Sequence, residues 1–246
     1  MRGFLAVTTR ELRAYFVSPL AWVILTFFLF GQGLVFSSIV GFLNNPGQVA
    51  STTPFDVFFN NIFFWLTLLF ITPVITMRLI AEERRSGTLE SLMTAPITEA
   101  QVVLGKYVAA LVFFAFLWLP TALYPVILSR YSAIDWGPIS AGYLGVFCVG
   151  STFLSIGLFG SSFTKNQIVA AVATFFILIT LFLVPWLGSL FTNQMVVDTL
   201  SYINLIDHIE EFGKGIVDSR RLIYHLSTTA FFLFLTTRAL AAKKWR

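Results

Sequence analysis

This 246-residue sequence has little of what soluble proteins use most: only 11% of it is Asp, Glu, Lys or Arg, against about 25% in an ordinary soluble domain. It has one cysteine, Cys148, set within an apolar run, which excludes an internal disulfide and a Cys-rich metal site and reads as a small core residue. Two histidines are present, and neither His208 nor His225 belongs to an H-E-x-x-H or comparable pattern. No G-x-S-x-G elbow occurs. The nearest approach to a phosphate loop, "AQVVLGKY", has Ala100 in place of the first glycine and Tyr107 in place of Ser/Thr, at the head of an apolar helix where no cradle can form. The chain is therefore not expected to be an enzyme or to hold a cofactor of its own.

Charge is scarcest within the long apolar runs. Ion-driven transporters place Asp, Glu, Lys or Arg near the bilayer centre, because a translocated charge needs a relay or a counter-charge. The first five expected spans offer none there, and the sixth has only His225, about a turn from its outer end, where a hydrogen-bonded structural role is expected. If the protein moves a cargo, the energy comes from elsewhere.

Hydrophobic residues make up 57% of the sequence and the mean hydropathy is +0.83. Uncharged runs at 20–43, 57–77, 107–129, 137–164, 166–197 and 222–237 mostly exceed the roughly 20 residues that cross hydrocarbon. The expected fold is all-α and integral to the membrane, a single domain over 1–246 without internal repeats. Its six spans are 19–43, 57–80, 98–129, 137–163, 165–191 and 221–241. The first run is too long for a signal-peptide core and is expected to be retained as a span. With the N-terminus inside, only Arg130, Lys214, Arg220 and Arg221 of the 16 basic residues fall outside. Both termini are thus expected to be cytoplasmic. The same asymmetry accounts for the net charge of +4, so lipid rather than nucleic acid is the expected partner of this basicity.

Residues 2–16 predict an interfacial helix, with Phe4, Leu5, Thr8, Leu12, Tyr15 and Phe16 on one face and Arg2, Arg10 and Arg13 on another. Ser18 and Pro19 then suit an N-cap and a first helical position. Thr98-Glu99-Ala100-Gln101 is a capping-box pattern, and Thr164 to Gln167 repeats it before the fifth span. Pro73, Pro120, Pro125 and Pro185 predict ordinary kinks, and Gly31, Gly33, Gly157 and Gly160 predict close helix packing. Residues 192–220 read as short amphipathic helices on the outer surface, stopped by Gly213 and Gly215. Their Asp198, Asp207, Glu210 and Glu211 form a solvated acidic face, and His208 lacks a second histidine with which to make a metal site.

The densest polar stretch is "MRLIAEERRSGTLESLMTAPIT", residues 77–98. The second span runs out into Glu82, Glu83, Arg84 and Arg85, and Ser86-Gly87-Thr88 breaks the helix. Leu89, Leu92 and Met93 then stand at i, i+3 and i+4 of a short second helix, over 86–95, that Pro96 ends. Such a helix can seat its apolar stripe in the groove of a soluble partner, or lie as a plain interfacial loop; spacing alone does not choose between them.

The segment "MRLIAEERRSGTLESLMTAPITEAQVVLGKY" resembles the region between the second and third spans of ABC-2 type transporter permeases, with its E-R-x-x-G-T core and downstream G-K at Glu83, Arg84, Gly87, Thr88, Gly105 and Lys106. "ELRAYFVSPLAWV", "SSFTKNQIVAA" and "GKGIVDSRRLIYHLS" extend the likeness along nearly the whole chain. It is most similar to the short-loop branch that includes gliding-motility (GldF-like) and nitrous-oxide-reductase maturation (NosY-like) permeases. The resemblance implies an ATP-driven, export-type permease subunit in the bacterial inner membrane. Residues 2–16, with Phe4, Leu12, Tyr15 and Phe16, would be its elbow helix and 86–95 its coupling helix. That helix would dock on a separate nucleotide-binding subunit, which carries the ATP and Mg, and a second permease subunit, identical or not, would complete the pathway. Glu82, Glu83, Arg84 and Arg85 would orient the junction, Gly87 and Thr88 make the turn, and Leu89, Leu92 and Met93 anchor in the partner. A periplasmic partner for 192–220 is a further expectation. An alternative role is a non-transporting anchor that passes ATP-driven force to an envelope or motility complex.

Overall fold

The computed structural model describes residues 2–43, 54–89, 97–131, 133–188 and 193–244, and every regular element among them is helical. In chain order these are α1 (Arg2–Val17), α2 (Pro19–Leu43), α3 (Pro54–Asn60), α4 (Ile62–Thr76), α5 (Arg78–Ser86) and α6 (Glu99–Trp118). After a 3-10 turn over Leu119–Ala122 come α7 (Leu123–Leu128), α8 (Trp136–Ser161), α9 (Gln167–Gly188), α10 (Gln194–Ile203), α11 (Leu205–Gly213) and α12 (Ser219–Lys244). Among the described residues, five stretches are long and apolar enough to cross a membrane: Pro19–Gly41, Ile62–Ser86, Glu99–Leu128, Trp136–Ser161 and Gln167–Trp186. At 26 residues α12 has the length as well, but Arg220, Arg221 and Arg238 make it more polar than these five.

The bundle is organised around α8. Val146, Val149, Phe153, Leu154, Ile156 and Leu158 of this helix are fully buried, which requires neighbours on every side. Small residues make that approach possible: a Cβ added at Gly157 would lie 2.2 Å from Thr76 Oγ1 of α4, and one at Gly150 would lie 2.4 Å from the ring of Phe114 in α6. In hydrocarbon, where lipid is as apolar as leucine, such backbone proximity is what holds helices together. The outward faces of α2 and α9 are instead large and apolar, with Trp22, Phe27 and Phe30 on one and Ile168, Phe176 and Trp186 on the other exposed. Among the described residues, nothing lies within 4 Å of a Cβ added at Gly31, so the expected close packing at that glycine is not made by them.

Element ends follow local chemistry. The Thr98 box forms as expected: Gln101 N donates to Thr98 Oγ1 at 3.3 Å and Thr98 N donates to Gln101 Oε1 at 3.2 Å. The second expected box is displaced. Asn166 caps α9, its Oδ1 accepting from Ile168 N at 2.9 Å, while Thr164 only supports the turn by accepting from Asn166 N. Asparagine at 166 offers a carbonyl oxygen at the N-cap itself, so it displaces the threonine two residues earlier. The second span also starts later than residue 57, because Asn61 accepts from Phe63 N and begins a new helix, leaving Pro54–Asn60 as a separate turn. Pro120 sits in the 3-10 turn, as local unwinding at a proline predicts. Residues 194–213 form two short helices, and Gly215 turns the chain with φ 84°.

Candidate functional site at the charged end of the bundle

The second span does not end at the membrane-length limit but continues as α5, after an interruption of the helix at Met77. Pro73 contributes no amide proton, and Met77 N reaches back to Pro73 O at 2.8 Å, keeping the chain helical at φ −53°, ψ −35°. One turn later a foreign side chain enters the ladder. Ser161 Oγ, at the end of α8, accepts from Ile80 N (3.1 Å) and Ala81 N (3.0 Å) and donates to Met77 O (3.0 Å). Insertion of a side chain into the i→i−4 ladder is a recognised cause of a localised bend. Here it also ties the α4–α5 junction to the most buried helix of the bundle.

Helix α1 grips the same junction from the other side. Tyr15 is buried, its hydroxyl donates to Ile75 O at 2.8 Å, its ring stacks on Phe113 at 4.7 Å, and the Arg78 guanidinium lies 4.1 Å from its centroid. Phe16 packs edge-on to Phe113 and Phe116. Phe4 and Leu12 are half-buried, as an inward face requires, but the face is rotated from the one the spacing suggested. Leu5 is exposed, whereas Val7 is buried and Glu11 turns inward. Gly105 permits this, since a Cβ there would lie 2.9 Å from Val7 Cγ1.

Rotating Glu11 inward completes a charge cluster. Lys106 of α6, only 1% exposed, is 2.9 Å from Glu11 Oε1 and 3.0 Å from Glu83 Oε1. Arg10 closes the cluster by contacting both Glu11, at 2.7 Å, and Glu83. Two cations and two carboxylates thus join α1, α5 and α6 with no net charge, which is how a buried ammonium is tolerated. Burial opposes ionisation of Glu11, but the charge and hydrogen bond of Lys106, helped by Arg10, hold its carboxyl below the ordinary value.

Of the residues singled out from sequence, Glu83 lies in this cluster and Arg84 donates to Ser162 O at 2.9 Å, anchoring α5 to the end of α8. Glu82 and Arg85 are exposed. Gly87 takes φ 72°, the left-handed conformation that ends a helix, and Ser86 Oγ and Thr88 Oγ1 lie 2.8 Å apart across the turn. Helical backbone resumes at Thr88 and Leu89, with Leu89 half-buried against the core. Leu92 and Met93 lie outside the described residues. Sequence reasoning missed Glu11, Lys106 and Ser161 as members of the site. A signal existed for Lys106, a lone cation eight residues into an apolar helix that must find an anion when buried.

At the opposite end the two histidines, read from sequence as separate, are neighbours: His208 Nδ1 is 3.2 Å from His225 Nε2, and both side chains are buried. The reading that His208 lacks a second histidine is therefore corrected. Helices α11 and α12 bring residues 17 positions apart together, a contact that no local spacing encodes. Among the described residues, no group of three or more His, Cys, Asp or Glu side chains is arranged to hold a metal ion.

The sequence model described as ABC-2 family transporter protein matches residues 5–242. The chain is also 28% identical, over 144 residues, to the probable multidrug ABC transporter permease YbhR of Escherichia coli strain K12 and, to the same extent, to that of Escherichia coli O157:H7. That match covers 58% of this chain but only 39% of the relative's length. Since the family match spans almost every residue, the chain belongs to the ABC-2 transporter family.

Proposed function

Starting from membership of the ABC-2 family, we propose that this chain is the permease subunit of an ATP-driven, export-type transporter, with α12 serving as a sixth span beside the five apolar ones. It sits in the bacterial inner membrane with both termini in the cytoplasm. Its charged end faces a separate nucleotide-binding subunit, and a second permease subunit, identical or not, pairs with it across the apolar outer faces. ATP and Mg are held by the partner, and this chain converts the partner's closure into tilting of α4 and α5.

The observation that supports this most strongly is the restraint on α5. A force applied at Gly87–Leu89 enters a helix that Ser161 and Ser162 fasten to α8, Glu83 to α1 and α6, and Arg78, stacked over the Tyr15 ring, to α1. A loop with no mechanical role needs no such fastening. A displacement at this end therefore moves the elbow and three spans as one body instead of being absorbed by a flexible turn. Residues 86–95 are the segment gripped by the partner, with Leu89, Leu92 and Met93 seated in its groove.

The test is Leu92→Asp, which places a charge in that stripe. The variant is expected to insert normally in membranes but to lose co-purification with its nucleotide-binding subunit, and to lose any change in ATPase rate caused by the permease. Unchanged co-purification together with unchanged ATPase coupling refutes the assignment of the gripped segment. Cysteine labelling that places Ser86 on the periplasmic side refutes the orientation.

A further inference from the structure

The polar file that starts at the His208–His225 contact contains a conflict at one atom. His208 Nε2 lies 3.1 Å from the Tyr202 carbonyl oxygen, which can only accept, and 2.9 Å from Arg221 Nη1, which can only donate. A ring nitrogen cannot donate and accept at once. If Nε2 accepts from Arg221, the His208 proton is on Nδ1 and is donated to His225 Nε2. The His225 proton is then on Nδ1 and is donated to Thr152 Oγ1 at 3.0 Å, and Thr152 gives its own proton to Cys148 O at 3.1 Å. If Nε2 instead donates to Tyr202, every bond in the file reverses: His225 Nε2 donates to His208 Nδ1, and the Thr152 hydroxyl turns from Cys148 to His225 Nδ1.

We infer that Arg221 selects between these two hydrogen-bond orders, so that the position of one outer-face guanidinium is written into the middle of α8 at Thr152. Arginine stays protonated in proteins, so its approach to Nε2 dictates acceptance there and the Nδ1–H form of both rings. Arg221 is in turn held by Glu211, through Nε to Oε2 at 2.9 Å and Nη2 to Oε1 at 2.8 Å. Asp207 and Asp218 add further negative potential at the guanidinium, and the Tyr224 ring packs 5.1 Å from His208. Burial and the charge of Arg221 push the His208 pKa down to about 4, so both orders concern a neutral ring. Passing from one order to the other moves one proton from Nε2 to Nδ1 on each ring and rotates one hydroxyl, with no net charge entering the bundle. Whatever draws Arg221 away, such as an acidic group of a periplasmic partner competing with Glu211, reverses the file.

Nitrogen-15 spectra of the histidine-labelled full chain in lipid nanodiscs read the tautomers directly. At neutral pH both imidazoles are expected as Nδ1–H, and Arg221→Met is expected to convert both to Nε2–H. A wild-type spectrum in which either ring is Nε2–H or doubly protonated overturns the inference, whether or not the variant folds. A folded Arg221→Met protein in which both rings keep the wild-type tautomer overturns it equally.

Discussion

Removing the Lys106 ammonium should be the most damaging single change at the charged end, and the structure sets the scale. Lys106 is 1% exposed and lies 2.9 and 3.0 Å from two carboxylate oxygens on different helices, whereas Arg10, the other cation, is 51% exposed. An exposed ion pair is worth roughly 0–1 kcal/mol. Breaking a buried one by removing a partner costs about 3–5 kcal/mol, because the remaining charge is left uncompensated. Lys106→Met keeps the stem's volume but leaves Glu11 and Glu83 facing each other with only the half-exposed Arg10 between them. For a chain of this size about 1 kcal/mol corresponds to roughly 2–4 °C in midpoint, so the expected loss is on the order of 10 °C. Tryptophan-fluorescence melting in nanodiscs measures it. Glu83→Gln added to Lys106→Met removes the surplus carboxylate and should restore about half of the loss, so that the double-mutant cycle gives a coupling of roughly 2 kcal/mol plus the cost of Glu83→Gln alone. A Lys106→Met midpoint within 2–3 °C of wild type, or a double variant no better than the single one, refutes the view that the cluster is a mutually dependent buried network.

Other perturbations probe the α4–α5 junction and the packing separately. Tyr15→Phe deletes the hydrogen bond to Ile75 O while keeping the stack on Phe113, and should lower stability by about 1 kcal/mol, read in the same melts. Gly157→Ala places a methyl group 2.2 Å from Thr76 Oγ1; the expected cost is about 1–3 kcal/mol, part of which Thr76→Ala should return. The pH dependence has two parts. His208 is held near pKa 4 against an ordinary 6.5, so the folded state binds fewer protons; its contribution is complete above pH 6.5 and lost as the pH falls toward 4. Glu11 is held below its ordinary 4.5, so its contribution is complete above that pH and lost only on further acidification. Melting midpoints of wild type and His208→Gln from pH 7.5 to 5 isolate the first part, because the wild type should decline more steeply than the variant, in which only the buried His225 remains.

The helices were legible because bilayer length and hydropathy are local properties, and the Thr98 box because a cap is decided within four residues. Asn166 displaced Thr164 for an equally local reason that pattern matching overlooked: a carboxamide at the N-cap outcompetes a hydroxyl two positions upstream. The site was only half legible. The sequence marks Glu83 and Arg84 as charges at a helix end, but their partners Arg10, Lys106 and Ser162 are 23 or more residues away, and only the packing of α1, α6 and α8 around α5 assigns them. Buried polar groups carry that long-range information, because each of them must find a partner somewhere in the fold.

The same constraint explains why a protein so poor in charge concentrates its polar contacts at two places. Within the bundle, apolar helices discriminate weakly among neighbours, since lipid competes on equal terms with leucine. Register must then come from close backbone approach along α8 and from polar atoms that have one satisfactory arrangement. At the charged end the buried donors have one set of partners: Lys106 has two carboxylates and Ser161 three backbone groups. At the histidine end the arrangement is double, because Nε2 of His208 has a donor and an acceptor both within reach. A rigid junction at one end and a two-state file at the other are different physical devices. The first suits transmission of force through α5, and the second suits a change of bonding order that leaves the helices where they are. If so, Lys106→Met should impair stability without altering the histidine tautomers, and Arg221→Met should alter the tautomers while leaving the α5 junction intact, as read by retained ATPase co-purification. Crossed effects, with either substitution disturbing both ends, would mean that the two ends are one network.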